Sequence, residues 1–173
     1  MRFADIVAKL DAGKSEQALV DALAWRRDEP GDVLALLALG ETLERRGNLA
    51  LAARAYASII DLFPSRADLR RLAAQRLERL GDAGAALAAD TAAEAVAQRP
   101  DHLTGWRQLA YALVRQHRYG DAFDALDKGL AQKYPDGRFA GGERILAEDL
   151  SIVGAAWAAA APARAAEIDH RLA

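Results

Sequence analysis

The chain has 173 residues, a net charge of −2, no cysteine, and 52% hydrophobic residues of which few are aromatic. That length suffices for one domain with a continuous core. The charge balance argues against the strongly basic face of a general nucleic-acid binder, and the missing cysteines exclude disulfides and thiolate metal sites. Alanine dominates the apolar set, and runs rich in Val, Ile and Thr are absent, which predicts an all-α protein. Arginine greatly outnumbers lysine, whose positions are Lys9, Lys14, Lys128 and Lys133. With so much alanine, that bias suggests a GC-rich bacterial genome. No stretch of about 18 apolar residues is present, so no membrane span is expected.

The N-terminal segment is an amphipathic helix with Phe3, Ile6, Val7 and Leu10 on one stripe and Asp5 and Asp11 among its polar residues. Those acids separate it from a signal-peptide core. Gly13 ends it; a second helix carries Ala18 and Trp25 and stops before Pro30. Ala12-Gly13-Lys14-Ser15 has the letters that end a phosphate-binding loop. Ala8 stands where that motif needs its first Gly, and a helix precedes it instead of a strand, so no nucleotide site is expected.

The next pair runs from about 33 to 66. Leu36, Leu39 and Leu43 form an i, i+3, i+7 stripe, and Gly40 leaves room for a neighbouring helix. Gly47-Asn48 closes the first helix, Ala52, Tyr56 and Ile59 line the second, and Pro64 stops it. Leu39 and Tyr56 are expected to be buried between these two helices. A third pair, about 67–102, keeps Ala73, Leu77 and Gly81 in register but holds two extra residues before Pro100. They fall either in the turn near Asp82–Gly84 or in a longer second helix. The fourth pair, about 103–135, has Trp106, Leu109, Ala110 and Leu113, then Tyr119, Ala122 and Leu126, with His117 where the other turns have Gly.

After Pro135 the pattern changes. A loop is expected over Pro135–Gly142, one long helix over Glu143–Ala160 with Ile145, Leu146, Leu150, Val153 and Trp157 apolar, and a short helix over Ala163–Leu172. Residues 136–173 are expected to cap an array made by residues 1–135, because a stack of helix pairs leaves its last apolar face bare. The tail Arg138-Phe139, Arg144-Ile145-Leu146, Glu148-Asp149-Leu150 and Trp157 resembles the helical ends of YfaP-like bacterial proteins.

Pro30, Pro64, Pro100 and Pro135 lie 34, 36 and 35 residues apart, and Gly13, Gly47 and Gly81 keep a spacing of 34 in the opposite phase. A period near 34 with one breaker inside each helix pair and one after it marks a stacked helix-turn-helix array. The Leu36, Leu39-Gly40, Leu43, Gly47, Ala52, Tyr56, Ile59, Pro64 series, repeated in part by Trp106, Leu109-Ala110 and Leu113, resembles the tetratricopeptide repeat (TPR). The resemblance implies a right-handed solenoid of about four repeats whose first helices line a concave, protein-binding groove. Carried over by position, that groove holds Leu34, Leu37, Glu41, Glu44 and Arg45, then Asp68, Arg71, Gln75, Glu78 and Arg79, then Thr104, Arg107, Tyr111, Val114 and Arg115. The Lys–Asn carboxylate clamp of the chaperone-binding members is missing.

The peptide-contact candidates are therefore Arg71, Gln75, Arg79, Arg107, Gln108, Tyr111 and Arg115, a basic strip suited to carboxylates. The competing expectation pairs these arginines with Glu41, Glu44 and Glu78 along the helices. His102, His117 and His170 have no partners at metal-site spacing, and no nucleophile–base–orienter set exists. No enzyme, metal or cofactor is expected. The sequence reads as a scaffold or adaptor for a protein or peptide partner, acidic by preference, with no nucleic acid or membrane partner. The second reading is a structural or oligomerisation module of a larger bacterial protein. A monomer in the cytoplasm is the expectation, or the periplasm for a piece of an exported protein.

Overall fold

The structure is a computed structural model and describes residues 2–134 and 141–173. Pro135, Gly137, Arg138 and Phe139, which carry parts of the expected loop and tail resemblance, lie outside the described residues. Among the described residues the regular structure is entirely helical. The helices are α1 (Arg2–Asp11), α2 (Ser15–Asp28), α3 (Val33–Arg45), α4 (Leu49–Leu62), α5 (Ala67–Glu78), α6 (Ala85–Gln98), α7 (Leu103–Arg115), α8 (Tyr119–Leu130), α9 (Gly142–Ala160) and α10 (Ala165–Leu172). Single 3-10 turns precede α6 (Gly81–Ala83) and α10 (Pro162–Arg164). Pro30, Pro64 and Pro100 each come just after the second helix of a pair. No described helix is long and apolar enough to cross a membrane.

The chain divides into two compact units, Met1–Thr91 and Ala92–Ala173, with the boundary inside α6. In the first, Leu36, Tyr56, Ile59 and Leu77 form one apolar cluster. Ile6, Leu10 and Trp25 form another with Ala35 and Ala38 of α3. Gly40 is indispensable at its place, because a Cβ there would lie 2.2 Å from the Tyr56 ring. Tyr56 is fully buried. Leu39 departs from expectation. It packs against the cluster of α3 and α4 side chains but is only half-buried, because it also lines an open cleft between α2 and α4.

In the second unit, Leu103, Trp106, Leu113, Phe123 and Leu126 are buried on α7 and α8. Leu146, Leu150, Val153 and Trp157 are buried on α9, and Ile168 on α10. Trp157 meets Phe123 with ring centroids 5.8 Å apart. A Cβ at Gly120 would lie 3.2 Å from the Trp157 ring, so the small residue on α8 seats the indole.

Three of the turns share one backbone solution. Lys14, Asn48 and Arg118 donate back to the carbonyls of Lys9, Leu43 and Leu113 at 2.8, 2.9 and 3.0 Å. Gly13, Gly47 and His117 donate to Leu10, Glu44 and Val114 at 3.0, 2.9 and 2.9 Å. This double bond is the Schellman motif, which needs a left-handed residue just after the helix. Gly47 has φ +76° at no steric cost, while His117 is forced to φ 58°. Replacing His117 by Gly is expected to raise stability by about 1 kcal/mol, seen as a melting rise of about 2–4 °C for a chain of this size.

The third pair's turn is three residues longer than the others and α5 is one residue shorter than α3 and α7, which together give its two extra residues. Residues 79–84 join α5 to α6, where the other pairs use 12–14, 46–48 and 116–118. α6 keeps the 14 residues of α2 and α4. The added length folds into the 3-10 turn so tightly that a Cβ on Gly84 would lie 2.1 Å from the Leu77 carbonyl oxygen.

Candidate functional site

The first helices of the pairs carry the charged side chains that the sequence places in a groove. In the first unit these charges answer one another. Arg45 on α3 donates to Asp11 at the end of α1 (2.5 Å) and reaches Glu41 one turn back (3.4 Å). Arg76 on α5 donates to the other oxygen of Glu41 at 3.2 Å. Arg79 reaches Glu44 at 3.0 Å, and Glu44 also accepts from the Tyr56 hydroxyl at 2.9 Å. Glu41 and Glu44 keep only 12% and 15% of their side chains exposed, so these contacts are partly screened from water. Burial, and then the Glu44 charge, push the Tyr56 phenol pKa up, which keeps it a neutral donor.

The α3–α5 face of this unit is thus an alternating ladder, Asp11–Arg45–Glu41–Arg76 with Glu44–Arg79 beside it. Of the candidate contact residues on α5 and its C-terminal end, Gln75 and Arg79 are exposed and Arg71 is half-buried. The expected acid partners are partly right. Glu44 takes Arg79, while Glu41 takes Arg76 and Arg45.

In the second unit the site has a partner that local sequence does not announce. Asp149 on α9 is buried, with 4% exposure. It accepts from the Arg107 Nε, from Arg107 Nη2 at 3.2 Å, and from the Tyr111 hydroxyl at 2.7 Å. A two-pronged guanidinium contact plus a phenol donor satisfies both oxygens of this buried side chain. The hydrogen bond to Asp149 is the leading cause that raises the Tyr111 pKa. Arg107 and Tyr111 therefore fasten α9 to α7. Arg115 is exposed, Val114 is half-buried and Gln108 is buried. Asp149 lies 42 residues from Arg107, and only the packing of α9 on α7 brings them together.

Among the described residues no group of three or more His, Cys, Asp or Glu is placed to hold a metal ion. His117 contacts the neighbouring Tyr119 hydroxyl in its turn, at 3.2 Å, and His102 contacts the Thr104 hydroxyl at 2.8 Å.

No family model matches the chain, and no curated protein matches it. Solved structures of MamA proteins do match in fold. MamA from residue 41 to its end, from Desulfovibrio magneticus RS-1, superposes with a TM-score of 0.59 at 18% identity, over 99% of this chain and 90% of that one. A MamA RS-1 double mutant gives 0.59 at 19% identity, over 98% and 90%. A further MamA crystal structure gives 0.60 at 16% identity, over 98% and 87%. These likenesses span nearly the whole chain, and the fold they share with it is the all-α, TPR-like helical repeat.

Proposed function

We propose that this chain is a protein-interaction scaffold that holds a peptide, or an exposed segment of a protein partner, on its first-helix faces without altering it. The observation that carries this reading is the exposure of Gln75, Arg79 and Arg115 on or at the ends of the first helices. Arg79 is already oriented by Glu44 at 3.0 Å. An incoming carboxylate then meets a donor whose side-chain freedom is restricted, which lowers the entropic cost of binding. Arg71, Gln75 and Arg79 supply the contacts along α5 and at its end. Arg107, Tyr111 and Arg115 supply them on α7, with Gln108 packed behind. The preferred ligand is acidic or ends in a carboxylate, because guanidinium forks match that group.

Within this reading, residues 1–135 are the array and residues 136–173 its cap. The tail's resemblance to the helical ends of YfaP-like bacterial proteins stands beside that capping role and assigns it no chemistry. A bacterial source fits the composition, and the cytoplasm is the proposed setting.

The test is co-purification of the tagged protein from its source cells. Arg107 is unsuited to substitution, since Arg107→Glu sets a second carboxylate against buried Asp149. Gln75→Ala with Arg79→Ala, and separately Arg115→Ala, are the informative variants. The expected result is loss of the same co-purifying protein, weaker capture as salt rises, and unchanged helicity. Undiminished capture by both variants would reject these faces as the binding surface.

A further inference from the structure

The second helices of the first unit present a different surface. Val20 and Leu23 on α2 are 64% and 50% exposed, and Leu51 and Leu62 on α4 are 46% and 43% exposed. Between α2 and α4 runs a cleft of about 400 Å³, with Leu19, Leu23, Leu39 and Leu51 in its walls and Arg26 and Arg54 at its rim. Four large aliphatic side chains so open to water on two helices that share a cleft mark an interaction surface.

The chemistry along α4 selects the occupant. Leu51, Arg54, Ser58, Asp61 and Leu62 fall on one face, within about 100° of arc at 3.6 residues per turn. The Ser58 hydroxyl donates to the Arg54 carbonyl at 2.9 Å, which leaves a small, satisfied residue at the centre of the stripe. Arg54 and Asp61 stand about two turns apart on either side of it. Neither is paired with an opposite charge among the described residues. Read in either direction, the stripe runs apolar, charged, small, charged, apolar, with the two charges opposite in sign.

We propose that this face is an isologous contact between two copies of this chain, with α4 packed antiparallel on α4 of the second copy about Ser58. A two-fold axis there sets Arg54 opposite Asp61 of the second copy, and Asp61 opposite its Arg54. Leu62 then lies within about 3 Å, measured along the helix axis, of Leu51 of the second copy, at the mouth of the cleft. Val20 and Leu23 extend the apolar margin. A self-complementary patch of this kind is what a closed two-fold dimer requires. The residues involved are not those of the first-helix faces, so this inference stands or falls independently of the scaffold reading.

Sedimentation equilibrium on the full chain tests it. The wild-type mass is expected to climb with concentration toward twice 18.6 kDa. Arg54→Asp, Asp61→Arg and Leu51→Asp are each expected to remain monomeric with unchanged helicity by circular dichroism. An equimolar mixture of Arg54→Asp and Asp61→Arg is expected to associate, because each variant then offers the charge that the other lacks. The double variant in one chain is expected to regain association to within a few-fold of wild type. A wild type that stays monomeric at high micromolar concentration overturns the proposal and leaves the face to some other partner. So does association that persists in all three single variants, or a mixture of folded variants that fails to associate.

Discussion

Gly40→Ala is expected to lower the stability of the first unit by about 3 kcal/mol, at the upper end of the usual cost of overpacking. The added methyl would lie 2.2 Å from Tyr56 Cε1 and 2.7 Å from two further ring atoms. The ring has nowhere to retreat, since Tyr56 is fully buried and its hydroxyl is held by Glu44 at 2.9 Å. Removing the ring should cost as much by the opposite route, with Tyr56→Ala losing about 3–5 kcal/mol as buried aromatics do. The two sites touch, so their effects should not add. Gly40→Ala combined with Tyr56→Leu should be less destabilised than the sum of the single changes, as read by urea denaturation. A loss under about 0.5 kcal/mol for Gly40→Ala would mean that α3 and α4 do not pack through this pair.

Removing residues 142–173 is expected to unfold the second unit or drive the protein into aggregates. The truncation strips the partner ring from Phe123, uncovers the α8 surface around Gly120, and takes Asp149 away from Arg107 and Tyr111. Helix pairs bury their apolar faces only against neighbours, so the last pair depends on α9 and α10 for its cover. Light scattering should show oligomers, and circular dichroism should show loss of helix beyond the helices deleted. A truncated protein that stays monomeric and melts unchanged would make α9 and α10 an appendage and not a cap.

Much of this architecture is legible in the residues. The Gly and Pro spacing locates the helix pairs, because a left-handed turn and a helix stop each have few residue solutions. Gly40 and Tyr56 declare their contact through a missing and a large side chain on facing helices. The extra length of the third pair is visible as two residues too many. Its place in the turn is not, because helix length and turn length exchange freely in sequence. Leu39 misleads for a related reason. Its position on the apolar stripe shows that it faces inward, but not which neighbouring helix leaves it half uncovered.

The charged faces are legible as residues and not as pairs. Helical spacing puts Arg71, Gln75, Arg79, Arg107, Tyr111 and Arg115 on or at the ends of first helices. It cannot give the partner of each, since Glu41 and Arg76 are 35 positions apart and Arg107 and Asp149 are 42 apart. A buried acid near the middle of an Ala-rich helix looks in sequence like any solvated one. Its signature is the pair of donors that the fold brings to it.

The central claim is that this chain works by holding a partner on the first-helix faces. Hydrogen exchange on the protein, with and without a partner recovered by co-purification, tests it most directly. Slowed exchange at the side of α5 that carries Gln75 and leads to Arg79, and in α3 or α7, is the predicted result. Slowing confined to α2 and α4, or no slowing in α3, α5 and α7 at saturating partner, would contradict it.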